Sequence, residues 1–371
     1  MKLGLVVLGG VARRPEDGAV PCLHWLLERL ARRHEVHVFS VFGAPRPDRY
    51  EFLGATVHHA GASPKTLRAL AAIVAEHRRA PFRVLHAFWV LPAGVIASCA
   101  GTLLRRPVVI HVAGGELVAL PDIGYGGLRT RRGRLWVRFA LAGARRLTAA
   151  SGPTIAALRE RGYTAEQVPL GVDRARWPVA APRRRRAGTP ARIVHVASLN
   201  PVKDQGTLLR AARHLADRGV DFRLDIAGGD TLHGAVEGLA RELGLGERVR
   251  FHGYLAHEQL YPIVKDADVL WLSSRHEAGP LVTLEAAIAG VPTVGTAVGY
   301  VADWAPTAAV AVPVGDADAL ADATHRLLAD DERRMALASE AQRRALAHDA
   351  DWTARRFEAI YEELVNHPGE R

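Results

Sequence analysis

The chain has 371 residues, of which 49% are hydrophobic and 24% charged, with a formal net charge of +10. Those fractions are those of a soluble globular protein, and the length exceeds what one hydrophobic core usually organises, so two domains are expected. Cys22 and Cys99 are the only cysteines and lie far apart, which excludes a disulfide framework and a cysteine-based metal site and fits a reducing cytosol.

The first element is a buried strand in K-L-G-L-V-V-L. A strand is expected there rather than a signal peptide, because Arg13, Arg14, Glu16 and Asp17 follow where small residues would mark a cleavage site. Further buried strands are expected in E-V-H-V-F-S-V, F-R-V-L-H-A-F, P-V-V-I-H-V and R-L-T-A-A, with helical patterns over 19–33, 64–79, 92–104, 129–143 and 152–162. Residues 87–104 carry no charge, yet Pro92, Gly94, Ser98, Gly101 and Thr102 interrupt them, so a strand end followed by a buried helix is expected there rather than a membrane span. Arginines alternate with Leu, Trp and Phe between Leu128 and Arg146. That stretch reads either as a surface helix whose arginines snorkel into water or as attachment to an anionic membrane face. Residues 1–190 hold 30 Lys+Arg against 12 Asp+Glu, whereas residues 191–371 hold 19 against 27. No recognised nucleic-acid motif accompanies the basic half, so nucleic acid is not expected as a partner.

The alternation stops between Val168 and Pro190, where four prolines, two glycines and the run Arg183 to Arg186 read as a linker with a solvated turn. It restarts with strands in R-I-V-H-V-A, F-R-L-D-I-A, R-V-R-F-H, D-V-L-W-L-S, P-T-V-G and A-V-A-V-P. Helices are expected near 204–216, 231–243, 257–266, 281–289, 316–329 and 332–347. The expectation is an α/β chain of two Rossmann-like domains with parallel sheets, over 1–170 and 191–350, joined by a linker at 171–190. An amphipathic helix in 351–371 would pack back on the first domain. Ligands of such sheets bind beyond the carboxyl ends of the strands, so two facing sets of loops would share a central cleft.

Lys203 is placed at the start of a helix after the first strand of the second half, where amides and dipole favour an anion such as phosphate. Gly228 and Gly229 would let the backbone approach a ligand closely or simply form a turn, and Tyr254 offers a ring to a base or to the core. In R-H-E-A-G-P-L-V-T-L-E, Glu277 stands just before a helix N-terminus and Glu285 one to two turns inside, on the order of 10 Å away at about 1.5 Å per helical residue. The amides near Gly279, Pro280 and Leu281 would lie between them. An unpaired buried carboxylate is costly, so both glutamates need a reason to be there.

The run E-A-G-P-L-V-T-L-E-A-A-I-A-G-V-P-T-V-G-T resembles the E-x7-E signature of retaining glycosyltransferases of family 4, which have the GT-B fold. R-V-L-H-A-F-W, A-G-G-E, V-P-L-G-V-D, L-N-P-V-K-D, I-A-G-G-D, F-H-G-Y-L and D-A-D-V-L-W-L-S-S follow the family's order along almost the whole chain. The resemblance implies that Glu277 binds hydroxyls of the donor sugar, Glu285 the ribose diol and Lys203 the diphosphate, with Gly253 and Tyr254 bordering the base. It implies further that a helix beginning near Gly18 points amides at the diphosphate and acceptor, and that Glu116, or alternatively His111, lies near the reacting carbons.

One position departs from the pattern: Ser198 stands where the family usually has an arginine, removing one bidentate grip on phosphate unless another arginine such as Arg275 compensates. Asp266 and Asp268 form a D-A-D at the entrance of a strand rather than its exit, so no metal role is expected for them. The resemblance therefore implies metal-independent, cofactor-free transfer of a hexosyl unit from a nucleoside diphosphate sugar to a glycan, lipid-linked or small-molecule acceptor. A cytoplasmic protein is expected, with peripheral attachment to the inner membrane face. The competing readings are a GT-B epimerase or phosphorylase and a non-catalytic nucleotide-sugar-binding protein; a dehydrogenase is disfavoured because neither half carries G-x-G-x-x-G after its first strand.

Overall fold

The computed structural model describes residues 1–11, 20–43, 46–61, 63–186 and 188–367. Gly18 lies outside them. The chain forms two compact units, Met1–Gly171 together with the segment from Ala350 onward, and Val172–Asp349.

The first unit contains β1 (Lys2–Val7), α1 (Pro21–Ala31), β2 (Glu35–Ser40), β3 (Asp48–Phe52), β4 (Ala55–His59), α2 (Lys65–Arg79), β5 (Val84–Phe88), α3 (Val95–Leu104), β6 (Val108–Val112), α4 (Arg131–Ala142), β7 (Arg146–Ala149), α5 (Gly152–Arg159) and β8 (Glu166–Gln167). They build an eight-stranded sheet in the order β3-β4-β2-β1-β5-β6-β7-β8. Every residue of β1, β5 and β6 is buried, as expected of strands covered by helices on both faces. The sheet is not wholly parallel, because β3 pairs antiparallel with β4. The sequence conceals β3, an edge strand of which only Tyr50 is buried, so D-R-Y-E-F shows no apolar run. Helical backbone leads into α3 from Pro92, where its pattern begins, and Leu91 just before it is extended (φ −121°, ψ 131°).

The second unit contains β9 (Ala191–Val196), α6 (Gln205–Asp217), β10 (Phe222–Ala227), α7 (Ala235–Glu242), β11 (Val249–Gly253), α8 (His257–Lys265), β12 (Val269–Leu272), α9 (Leu281–Ile288), β13 (Thr293–Thr296), α10 (Gly299–Trp304), β14 (Ala309–Val312), α11 (Ala317–Ala329) and α12 (Asp331–Ala347). Its six strands run in the order β11-β10-β9-β12-β13-β14, all paired in parallel. The order reverses between β9 and β12, the switch point where open α/β sheets hold their ligands. Only α10 has no counterpart in the expected pattern; six residues are too few to show a helical period.

The last helix, α13 (Ala350–Asn366), belongs to the first unit. Its Phe357, Ile360, Tyr361 and Leu364 join the core beneath β1 and β5, and Thr353 accepts from the amide of Gly171 and donates to the carbonyl of Pro169.

The arginine run at 183–186 is not a freely solvated turn. Arg183 and Arg185 pair with Asp268 at 3.1 and 3.5 Å, Arg184 pairs with Glu332, and buried Arg334 donates to the carbonyl of Arg183 at 2.5 Å. A run of four cations is held because Asp268, Asp331 and Glu332 line the surface it crosses. Among the described residues no helix is long and apolar enough to cross a membrane.

Candidate active site

The loops leaving the carboxyl ends of β9, β10, β11, β12 and β13 are laced together by their backbones. Leu199 donates to the Gly229 carbonyl at 2.8 Å, Gly228 to the Gly253 carbonyl at 2.8 Å, and Arg275 to the Val202 carbonyl at 2.7 Å. Side chains add to the lacing: Ser273 donates to the Lys203 carbonyl at 2.7 Å and Thr296 to the Ser274 carbonyl at 2.6 Å. Two glycines are required by this crowding. A Cβ on Gly228 (φ +155°) would stand 1.9 Å from the carbonyl oxygen of Ala197, and one on Gly299 (φ +50°) 2.7 Å from the ring of Pro280 and 3.0 Å from Cβ of Glu277. The close approach that Gly228 makes is to the loop at Ala197 rather than to a ligand as expected.

Over the switch point, Lys203 Nζ lies 2.5 Å from Glu277 Oε1, and Ser274 Oγ donates to the same oxygen at 2.6 Å. The Glu277 side chain is 11% exposed and that of Lys203 24%, so the pair is sheltered but open to a ligand. Lys203 does not begin a helix as expected. It lies in a turn, its amide bonded to Asn200, and α6 begins after Asp204, whose carboxylate caps it by accepting from the Thr207 amide and hydroxyl. The positive end of α6 is therefore already matched by a carboxylate.

Beneath the pair, His195 Nδ1 lies 3.0 Å from the Trp271 carbonyl and its Nε2 3.2 Å from Gln205 Nε2. Burial pushes this imidazole down to about 4, against the pull of the Trp271 carbonyl. A neutral ring with its proton on Nδ1 satisfies both contacts and ties β9 to β12.

Glu285 sits in the second turn of α9 and is 4% exposed. It is not unpaired: His257 Nε2 lies 2.6 Å from its Oε1. Trp177, fully buried, packs against the His257 ring at 4.7 Å and donates to the Glu285 carbonyl at 2.7 Å. His257, Trp177 and Ser274 were not legible as site residues, because none belongs to a charge or glycine pattern; they are recognised only by what they touch. No side chain caps α9. The amides of Gly279 and Leu281 stand at its start, while Pro280 has no N–H to offer and serves by packing against Gly299. Gly253 ends β11 and Tyr254 opens the exposed loop after it, 58% exposed. Ser198 is exposed, its carbonyl held by Gln205.

In the first unit Glu116 follows β6, is 6% exposed and spends both carboxylate oxygens on the loop around it, accepting from the amide of Val90 at 2.9 Å and that of Gly114 at 2.8 Å. Burial raises its carboxyl above the usual range while those amides pull it back. His111 does not reach such a site. Its ring is fully buried between Phe88 and Phe357, its Nδ1 pairs with the Thr148 hydroxyl at 2.9 Å, and burial holds it down to about 3. It is a core histidine, on the face of β6 that Phe357 covers. Of the D-A-D pair, Asp268 is occupied by Arg183 and Arg185 and Asp266 by Arg192 at 3.2 Å.

The family model described as glycosyl transferase 4-like domain matches residues 17–171, and that described as glycosyl transferases group 1 matches residues 180–344. A D-inositol 3-phosphate glycosyltransferase of Corynebacterium urealyticum is 35% identical over 199 residues, 50% of this chain and 47% of that protein. The glycogen synthase of Mycobacterium tuberculosis is 34% identical over 184 residues, 49% of this chain and 44% of its own. The chain spans about half the length of the curated relatives it matches. Among solved structures, the sucrose-phosphate synthase of Thermosynechococcus elongatus superposes with a TM-score of 0.79 at 21% identity, covering 98% of both chains. A protein of Anabaena solved in complex with UDP-glucose superposes with a TM-score of 0.75 at 18% identity, covering 98% of this chain and 100% of that one. These likenesses give the fold as GT-B. The two family models lie end to end along the chain, and the protein belongs to the family 4 glycosyltransferases, with a 4-like domain ahead of a group 1 domain.

Proposed function

We propose that the protein is a retaining hexosyltransferase that uses a nucleoside diphosphate sugar and an acceptor hydroxyl. The observation that carries this reading is the Lys203, Glu277 and Ser274 cluster over the switch point of the second sheet. Lys203 opposes the diphosphate, Glu277 accepts from hydroxyls of the donor sugar, and the α9 amides of Gly279 and Leu281 complete the anion site. Glu285 keeps Oε1 on His257 and turns Oε2 to the ribose diol, and Tyr254 borders the base. Arg275, whose amide is bonded to Val202 beside Lys203, supplies the guanidinium that Ser198 lacks. The similarity to a protein solved with UDP-glucose supports a nucleotide-sugar donor.

In the reaction, the bond from the anomeric carbon to the diphosphate oxygen breaks, the acceptor oxygen bonds to that carbon on the same face, and the departing diphosphate takes the acceptor proton. The protein supplies fixed charges and dipoles rather than a nucleophile. Glu116 acts as a positioning residue that fixes the loops at Val90 and Gly114. With a lysine and helix amides opposing the phosphates, and Asp266 and Asp268 committed to arginines, no metal ion or other cofactor is required.

The acceptor is a glycan, a lipid-linked sugar or a small molecule. A cytoplasmic protein docked on the inner membrane face is supported by α4, where Leu135, Trp136 and Phe139 are 68, 50 and 44% exposed among Arg131, Arg132, Arg134 and Arg138. The test is to incubate the protein with UDP-, GDP- and ADP-hexoses and acceptor candidates, with and without EDTA, and to read the anomeric configuration of the product by NMR. Retention with EDTA present supports the reading; inversion, or donor binding with no transfer to any acceptor, overturns it.

A further inference from the structure

At the amino ends of β6 and β7, opposite the loop that carries Glu116, lies an open pocket of about 610 Å³ lined by Arg105, Arg106 and Arg145 among other residues, none of them acidic. Three backbone features fix the chain at these arginines. Arg105 ends α3 in the left-handed conformation (φ 52°), the Arg106 amide folds back to the Gly101 carbonyl at 2.9 Å, and the Arg145 amide is fixed to the Val108 carbonyl at 2.7 Å. Guanidinium nitrogens normally find acceptors when buried. Here Arg106 Nε and Arg145 Nη2 are shielded from solvent and have no hydrogen-bond partner. No carboxylate among the described residues pairs with any of the three, although most arginines of the second unit's surface are paired. His77, held below its ordinary value first by burial and then by Arg106, registers the same positive field.

Arg105, Arg106 and Arg145 line one pocket with no carboxylate partner among the described residues, and such a set forms a receptor for an anion with several acceptor oxygens. We propose that this pocket binds a phosphate group, at a site separate from the nucleotide-sugar site and independent of the transferase reading. Both possible carriers share that chemistry. One is a phospholipid headgroup, for which the end of α4 at the pocket and exposed Leu103 (63%) provide an apolar surround; the other is a soluble phosphorylated molecule.

The experiment compares the wild type, Arg106→Gln/Arg145→Gln, the charge-matched control Arg78→Gln/Arg159→Gln, and Lys203→Ala. The probes are 31P line broadening of inorganic phosphate and co-sedimentation with phosphatidylglycerol vesicles. The proposal expects the Arg106→Gln/Arg145→Gln protein to bind at least about tenfold more weakly, with the control and Lys203→Ala close to wild type. Arginine-dependent binding to vesicles alone assigns the phosphate to a lipid headgroup, and to free phosphate assigns it to a soluble ligand. Absence of binding of both probes to the wild type, equal binding by the double variant, or equal loss in the control overturns it. Because Lys203→Ala reports only on the donor site, its behaviour keeps failure here distinct from failure of the transferase reading.

Discussion

Lys203 and Glu277 come from loops of adjacent strands and meet at 2.5 Å, where Ser274 fixes the carboxylate from the other side. This contact holds the lysine in place before a ligand arrives, so little reorganisation is needed on binding. Lys203→Ala is expected to raise the Kd for a nucleoside diphosphate by roughly 10- to 100-fold, with a melting temperature close to wild type. Isothermal titration calorimetry with UDP, GDP and ADP checks it; unchanged affinity for whichever nucleotide binds would remove Lys203 from the site.

The partner of Glu285 separates binding from stability. His257→Ala leaves a nearly buried carboxylate without its partner and is expected to cost on the order of 2 kcal/mol in urea unfolding, less than a fully buried pair because the histidine is partly exposed. Glu285→Gln keeps shape and a hydrogen bond to His257, so it is expected to weaken nucleoside diphosphate binding with a smaller loss of stability. Equal losses of stability in the two variants would show that Glu285 has only a structural role.

Arg334 is 1% exposed and bonds to Asp331 and to the carbonyls of Arg183 and Asp268. Its removal takes a partner from a carboxylate and from two carbonyls at once. Arg334→Met is expected to destabilise the second unit by about 3 kcal/mol, read as the urea transition of tryptophan fluorescence. A loss under about 1 kcal/mol would mean that water replaces the guanidinium at no cost.

Acid stability follows from three histidines kept neutral by burial. His58 and His195 are held down to about 4 and His111 to about 3, from an ordinary value of 6.5. Between those values and 6.5 the unfolded chain binds protons that the folded one does not, so stability rises with pH across that window. It is complete above about 6.5 and is lost progressively as pH falls toward 4 and then 3. Urea midpoints measured from pH 7.5 to 4.5 are expected to fall steadily, and His111→Leu is expected to flatten part of the slope while leaving donor affinity intact. A flat profile in the wild type would contradict the burial of these rings.

Much of this was readable in the sequence because the strands of a doubly covered sheet are continuous apolar runs and their helices carry a clear period. The sequence also placed Glu277 before α9 and Glu285 inside it. What it hid has physical causes. The strand at 48–52 is an exposed edge, and α10 is too short to show a period. Asp204 takes the helix start that Lys203 was expected to hold, because a cap is a matter of one residue's φ and ψ. His257 and Trp177 act on Glu285 from twenty-eight and from over a hundred positions away, and no local pattern announces a contact of that kind. His111 looked chemically able, yet its ring lies on the face of β6 that Phe357 covers.

The central claim is that Glu277 serves the donor sugar. Its most direct measurement is kcat/KM for the best nucleoside diphosphate hexose in the wild type and in Glu277→Gln, with circular dichroism confirming the fold of both. The account predicts a loss of at least about 100-fold, the scale set by removing one preorganised electrostatic partner. Turnover retained within about threefold by a folded Glu277→Gln would contradict it.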